Sequence, residues 1–488
     1  MDALTNSASS LRSNLICAAA LALVSAAVIW FVQAEGTALY YGDAAAHLNI
    51  ARRLFDGRNP GYEQIGTVWL PLPHLLMMPF ARVDSWWQNG LAGALPSGIA
   101  WVVAGTFLFA LLRRIAGANG AIAGVAIFAL QPNLLYLQAT PMTEPLFLAG
   151  AMGMLLFSTR AVAGNSGVDA GLAGLCSIVT TLTRYEGWFV LPFVAVYLLW
   201  AGGKKVGLIF CAVAGLGPGY WLAHNWIMYS DALEFYRGLG SAKDIQKGLP
   251  YPGAHDWWAA VRQFAIASKA VLGWPLIAMS LVGLCWARAA WPLFFCVLAP
   301  IFYIVNLHGG DSPIYVPEVY PFSHYNSRYA LAGLPLCAVL SGMLAGRWPR
   351  LGLILPLLAM SWFATHAVIV KNEGKANSES RRAWTREIAQ LLQKEYQPGT
   401  GIWMPFGNLT AVLEEAGIPI AETIHQGDKL EFDRNTARPD LFLDTAWVIS
   451  QRGDDASRAM QRTAGFACVK LVSLPYEPVI EVWRRVSP

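Results

Sequence analysis

Charge is scarce in this sequence. Only 14% of its 488 residues are Asp, Glu, Lys or Arg, against about a quarter in an ordinary soluble domain. That deficit argues against a water-soluble globular fold over most of the chain. The net charge of +4 is too small to mark a nucleic-acid-binding surface. Cysteine is also sparse. Cys17, Cys176, Cys211, Cys285, Cys296 and Cys337 lie in apolar runs, and Cys468 stands alone near the C-terminus. There is no CxxC pair and no Cys/His ligand spacing, so neither a disulfide framework nor a zinc site is encoded. Internal repeats and low-complexity tracts are missing too.

Apolar residues fill the space, at 55% of the chain. Apolar windows predict eleven transmembrane helices near 13–34, 95–112, 119–135, 144–160, 168–183, 187–201, 205–224, 265–287, 290–307, 328–346 and 351–370. The first run, 15–32, is long enough to span and too long for a signal-peptide core, so it reads as an uncleaved span. The twenty Trp and seventeen Tyr suit a protein with much interfacial surface. The chain is therefore expected to be a polytopic α-helical membrane protein.

The loops set an expected orientation. With alternating helices, Arg12, Arg113, Arg114, Arg160, Lys204, Lys205, Arg288, Arg347 and Arg350 fall on one side, which the positive-inside rule makes cytoplasmic. Residues 1–370 hold fifteen Asp or Glu, and thirteen of them fall on the other side, including Asp43, Glu63, Glu144, Glu186, Asp311 and Glu318. The ionisable chemistry is thus expected outside. Residues 1–370 form the expected transmembrane domain, with a structured first outer loop at 35–92. Residues 371–488 carry the other sixteen acidic residues and are expected to form a small extracytoplasmic α/β domain. Its expected strands are 401–404, 446–450, 468–473 and 479–483, with helices near 378–395, 408–416 and 455–463. No Gly-rich phosphate fingerprint is present there. The sequon Asn408-Leu409-Thr410 has meaning only in a secretory setting.

Four constellations carry candidate chemistry. In the first outer loop, Tyr41-Gly42-Asp43 opens a helix expected over 43–56, with Asp43 and His47 on one face and Arg52 and Arg53 behind them. The bland alternatives are Asp43 as an N-cap, His47 as an ordinary polar contact, and Arg52, Arg53 and Arg58 as nonspecific partners of lipid phosphates. The Pro-broken segment 66–74 suits the membrane interface, and packing accounts for Trp69 and Leu70. Glu144 follows Thr140-Pro141-Met142-Thr143, where it is either a functional carboxylate or a charge at the positive helix end capped by Thr143 or Thr140. Thr183-Arg184-Tyr185-Glu186-Gly187 places two charges at membrane depth, either as a site or as a structural pair. The last outer loop carries His308, Asp311, Glu318 and His324-Tyr325-Asn326-Ser327-Arg328. There Arg328 can bind a phosphate bidentately or anchor the chain at the interface.

Together these motifs resemble the type C (GT-C) membrane glycosyltransferases, in the branch of the protein O-mannosyltransferases and the lipid A aminoarabinose transferase. Tyr41-Gly42-Asp43, the Trp-Leu-Pro-Leu-Pro segment 69–73, Thr143-Glu144-Pro145-Leu146, Thr183-Arg184-Tyr185-Glu186-Gly187 and Arg328-Tyr329-Ala330-Leu331 look like recurring pieces of comparable loops in that family. Several relatives carry Asp-Glu where this chain has Gly42-Asp43.

The resemblance implies transfer of a sugar from a polyprenyl-phosphate donor to a hydroxyl on a lipid, glycan or protein acceptor. In that reading Asp43 is the general base. Arg328, Arg184 or the Arg52/Arg53 pair, with His324, steady the leaving phosphate. Tyr325, Glu186 and His47 join the substrate-binding set. Glu144 orients the acceptor or helps hold a metal; some relatives use a divalent ion and others need none. The expected location is the bacterial inner (plasma) membrane, with the N-terminus cytoplasmic and the tail outside. A transporter or flippase of polyprenyl-linked glycans would instead put ionisable residues inside spans and show paired broken helices. An oligosaccharide ligase or polymerase would centre on a large late loop.

Overall fold

The computed structural model describes residues 2–238, 240–246, 251–287, 290–310, 312–318, 324–475 and 477–486. Arg288 and Asp311 lie outside them. The chain divides into two compact units. The first comprises Met1–Glu35, Thr67–Pro73 and Ala94–Glu373; the second comprises Gly36–Gly66, His74–Gly93 and Gly374–Pro488.

The first unit is built of helices. Among the described residues, seven are long and apolar enough to cross a membrane, or eight if one bent pair counts as a span. The difference from eleven apolar windows has physical causes. The window 95–112 and most of 119–135 lie within Leu91–Leu130, on two helices that meet in a kink at Gly117, φ +74°. Gly167–Thr181 and Glu186–Ala201 have only 15 and 16 residues, short of the roughly 20 that a spanning helix needs. Trp257–Leu272 and Trp274–Leu284 meet at 107° around Gly273.

Burial orders the helices. The Ser327–Arg347 window is 72% buried within the protein, whereas the Leu11–Ala34 window is 17% buried. Ser327–Arg347 is thus central and Leu11–Ala34 peripheral. The central segment is locked by a glycine crossing. A Cβ on Gly120 would stand 2.5 Å from the Gly342 carbonyl oxygen, and one on Gly342 would stand 2.8 Å from the Gly120 oxygen. Gly124 and Gly346 continue the contact one turn further along their helices, each too close to a facing carbonyl for a side chain. Two small-xxx-small faces therefore meet backbone to backbone, which is how helices gain van der Waals packing in lipid.

The second unit joins pieces distant in sequence. Its core mixes Leu48, Ala51, Met77 and Trp87 of the first loop with Trp384, Ile388, Ile402, Leu413 and Trp447 of the tail. The 35–92 loop therefore groups mainly with the tail, because its apolar residues are buried there. A five-stranded sheet runs β2-β1-β3-β5-β4. The strands are β1 (Ile402–Trp403), β2 (Thr423–Ile424), β3 (Trp447–Gln451), β4 (Phe466–Val472) and β5 (Ile480–Arg485). β1 pairs in parallel with β2 and β3, whereas β5 is antiparallel to β3 and β4. Of the tail strands, β2 had no counterpart among those expected from sequence. It is two residues long and gives no alternation to read.

Candidate active site

Four charged residues converge in the first unit. Glu144 opens the helix Glu144–Gly164, and Glu186 opens Glu186–Ala201. Both sit where the helix dipole favours a carboxylate. Arg184 lies in the link before Glu186, and Arg328 lies in the 3-10 turn Ser327–Gly333. Arg184 Nε reaches Glu186 Oε1 at 2.6 Å, and its Nη1 reaches Glu144 Oε1 at 3.2 Å. Arg328 Nε reaches the same Glu144 oxygen at 3.0 Å. Three motifs separated in the sequence thus meet in one buried cluster.

Tyrosines and a threonine complete the shell. Arg184 Nη2 donates to Tyr303 Oη at 2.9 Å, and Tyr303 Oη donates to Glu186. Arg184 Nη1 also donates to Thr143 Oγ1 at 2.8 Å. Thr143 is the N-cap residue, but its hydroxyl makes no cap hydrogen bond. Thr140 donates to Leu137 O instead of capping. Tyr329 stacks on Tyr303 at 4.6 Å and lies under both guanidinium groups, 5.0 Å from Arg328 and 5.5 Å from Arg184. Burial works against the Arg184 charge, but Glu186, Tyr303 and Glu144 outweigh it and push its pKa well up. Two cations face two carboxylates, so the cluster balances. One acceptor is left over: among the described residues Glu144 Oε2 is buried without a hydrogen-bond partner. Such an atom carries a desolvation cost unless a ligand or water meets it.

The cluster lines a small cavity with Glu144, Arg184, Glu186, Tyr303, Arg328 and Tyr329 on its walls. A second, apolar cavity shares Phe147, Leu148 and Ala332 with it and continues past Val190 and Phe295. The Pro-broken segment is pinned beside the same link. Tyr185 Oη donates to Val68 O at 3.0 Å, and Leu72 N donates to Leu182 O at 3.1 Å. Arg328 is held from behind: the Ser327 amide donates to Glu373 at 3.0 Å, and the Ser327 hydroxyl donates to the same carboxylate. His324 and Tyr325 are not among the residues lining the charged cavity. The Tyr325 backbone pairs with Tyr315 as an isolated antiparallel bridge.

The second unit holds the other candidates. The helix runs over Gly42–Arg53 and stops short of residue 56. Its N-cap residue is Tyr41, with no side-chain cap bond, and Asp43 lies in the first turn. The N-cap alternative for Asp43 is thereby overturned. His47 Nδ1 lies 2.9 Å from His74 Nε2. Burial, His47 and Arg53 all push the His74 pKa well down.

Arg52 is committed on all three nitrogens, to Asp56 at 2.5 Å, Ala81 O at 2.8 Å and Asp84 at 2.7 Å. It also lies over Trp87 at 4.9 Å. It fastens the loop, and as a ready phosphate fork it is spent. Arg53 Nε donates to Gln64 O at 2.5 Å. Arg58 bridges to Glu431 and Asp444. The sequon is structural, since Thr410 Oγ1 accepts from Asn49 Nδ2 at 2.9 Å.

Sequence reading missed three partners. Tyr303 was visible only as a lone hydroxyl in an apolar run. Glu373 and Arg381 carry no local signal, because their roles arise from tertiary contact. Among the described residues no group of three or more His, Cys, Asp or Glu is placed to hold a metal. Both carboxylates of the charged cluster are shared with arginines.

Residues 76–216 match the family model of the dolichyl-phosphate-mannose-protein mannosyltransferases, a stretch that includes Glu144, Arg184 and Glu186. No curated protein matches by sequence. The chain is similar in structure to ArnT from Cupriavidus metallidurans bound to undecaprenyl phosphate, with a TM-score of 0.63 at 12% identity over 96% of this chain and 97% of that one. It is also similar to the apo state of the same protein, with a TM-score of 0.61 at 13% identity over 95% and 97%. At such identities the likeness is one of fold. In sequence over residues 76–216 and in fold over nearly its whole length, the chain resembles the type C membrane glycosyltransferases of the O-mannosyltransferase and aminoarabinose transferase branch.

Proposed function

We propose that the protein transfers a sugar from a polyprenyl-phosphate donor to an acceptor hydroxyl at the extracytoplasmic face of the membrane. The observation that carries this reading is the meeting of Glu144, Arg184, Glu186 and Arg328 at one cavity that adjoins an apolar one. A lipid phosphate has the same two parts, an anionic head and an isoprenoid tail. The fold likeness to a structure that holds undecaprenyl phosphate supports the same ligand class.

In the proposed reaction the acceptor oxygen attacks the anomeric carbon and forms the new glycosidic bond. The bond from that carbon to the phosphate oxygen breaks, and its electron pair leaves with the lipid phosphate. Asp43 takes the acceptor proton. Arg328 holds the phosphate as its charge grows, while Arg184, engaged on all three nitrogens by Glu186, Glu144, Thr143 and Tyr303, fixes the cluster around it. At rest Glu144 occupies Arg328 Nε, so donor binding displaces Glu144 toward the acceptor, where it orients the hydroxyl. Arg52 takes no part, since its nitrogens fasten the loop. The acceptor is a lipid, glycan or protein hydroxyl.

Binding of undecaprenyl phosphate to the purified protein tests the donor assignment. Saturable binding that weakens about ten-fold or more in Arg328→Ala is expected, the usual scale for losing a charge-assisted contact. Equal affinity in both proteins would remove Arg328 from the donor site.

A further inference from the structure

The tail grips the acidic helix start with one arginine. Arg381, on the helix Glu379–Glu395, is 9% exposed. Its Nη2 donates to the carbonyl oxygens of Leu39 at 3.0 Å and Tyr40 at 2.9 Å. Buried carbonyls need donors, and these two precede the first helical residue. Arg381 Nη1 lies so near Gly42 that a Cβ there would stand 2.8 Å away. Arg382 covers the Tyr40 ring at 4.5 Å. Gly374 lies so near the Tyr41 ring that a Cβ there would approach to 3.1 Å. Leu39 to Gly42, the four residues before Asp43, are thus all fixed from the tail, within the same unit.

Asp43 is among the charges that face Arg381. Arg381 is faced by Glu414 from the helix Ala411–Ala416, by Asp43, by Arg382 of its own helix and by Glu477 before β5. Glu414 is buried, which pushes its carboxyl up to about 8 even though Asn49 and Arg381 work against that.

We propose that Arg381 is a positioning residue for Asp43: its fork on Leu39 and Tyr40, closed over a side-chain-free Gly42, sets where the Asp43 carboxylate stands. This rests on the assignment of Asp43 as base and adds what holds that base in place. It also gives the tail a task in the reaction. Gly42 is then required because any side chain would push the guanidinium away from the helix start.

The test uses the full-length protein in detergent micelles, with Arg381→Met, Arg381→Lys, Gly42→Ala and Asp43→Asn. Amide exchange across 39–46 is expected to quicken about ten-fold or more in Arg381→Met, while β3 keeps its protection. Arg381→Lys, which keeps the charge and can reach one carbonyl, recovers part of that protection. Gly42→Ala moves in the same direction as Arg381→Met. In transfer from radiolabelled undecaprenyl-phosphate mannose, Arg381→Met lowers kcat by about 10- to 100-fold and leaves the donor KM within about two-fold. A merely structural role would not separate kcat from KM or be rescued by lysine. Wild-type exchange over 39–46 in both Arg381→Met and Gly42→Ala overturns the proposal, whichever sugar the protein takes. Full turnover by Asp43→Asn overturns the base assignment instead. A silent Asp43→Asn beside a fully active Arg381→Met sinks the positioning role alone.

Discussion

Arg328 Nε lies 3.0 Å from Glu144 Oε1, across 184 residues of chain, with both side chains buried. The cation proposed to meet a lipid phosphate is thus already paired with a carboxylate. The same Glu144 oxygen also takes Arg184, while the other oxygen has no partner among the described residues. The arrangement keeps two buried arginines paired away from water.

Glu144→Gln follows from this competition. Loss of the carboxylate leaves Arg328 with a weaker acceptor. Undecaprenyl phosphate is expected to bind at least as tightly as to the wild type. Thermal stability falls, because weakening one side of a buried pair costs up to about 3–5 kcal/mol when the partner is left alone. Lipid titration and thermal unfolding check the two halves. Weaker lipid binding in Glu144→Gln would contradict displacement of Glu144 by the donor.

Gly342→Ala is expected to destabilise the first unit by about 1–3 kcal/mol, the cost of overpacking a close crossing. Its Cβ would stand 2.8 Å from the Gly120 carbonyl oxygen, which is backbone and cannot swing aside. The yield of monodisperse protein in detergent and its unfolding temperature report the effect. Gly399, where a Cβ would meet nothing within 4 Å, marks the opposite case of open space, although its positive φ makes it a poor control.

Glu414 makes the second unit sensitive to rising pH. Burial lifts its carboxyl from 4.5 to about 8 in the folded state. A raised folded pKa means that the folded state holds the proton more tightly. Its contribution is therefore complete below pH 4.5 and is lost progressively as pH rises toward 8. Glu414→Gln should flatten that decline. Denaturant unfolding of the full chain followed by tail tryptophans, at pH 5 and pH 8.5, measures the difference. An equal decline in both proteins would show that Glu414 does not carry it.

His425 acts in the other direction. Its folded pKa is pushed down to about 3 by burial, with Arg53 adding to it. Its Nδ1 accepts from the Gly427 amide at 2.9 Å, which requires a neutral ring. The contribution is present above pH 6.5 and is lost as pH falls toward 3. His425→Gln should reduce the acid sensitivity of the tail in the same unfolding assay.

The sequence exposed the cluster better than the scaffold. Short motifs around Glu144, Arg184 and Arg328 were legible because charges at membrane depth are costly and stand out in apolar runs. Their mutual geometry was legible only as common sidedness. The tail strands β1, β3, β4 and β5 fall close to where β-rich runs placed them. Apolar windows do not register bends: nothing in the composition around Gly117 or Gly273 tells a kink from a loop. The grouping of the first loop with the tail was hidden for a further reason. Leu48, Trp87, Trp384 and Trp447 are far apart in the chain, and only packing brings them into one core. Arg381 and Glu373 were missed on the same grounds, as ordinary charges in a charged segment whose partners are backbone groups.

The central claim is that Asp43 takes the acceptor proton. Its most direct measurement is sugar transfer from a radiolabelled undecaprenyl-phosphate sugar by purified wild type and Asp43→Asn, with undecaprenyl phosphate binding measured on both. The account predicts that Asp43→Asn folds and binds the lipid as the wild type does, while transfer falls by about 100-fold or more. Unchanged turnover in Asp43→Asn would contradict it.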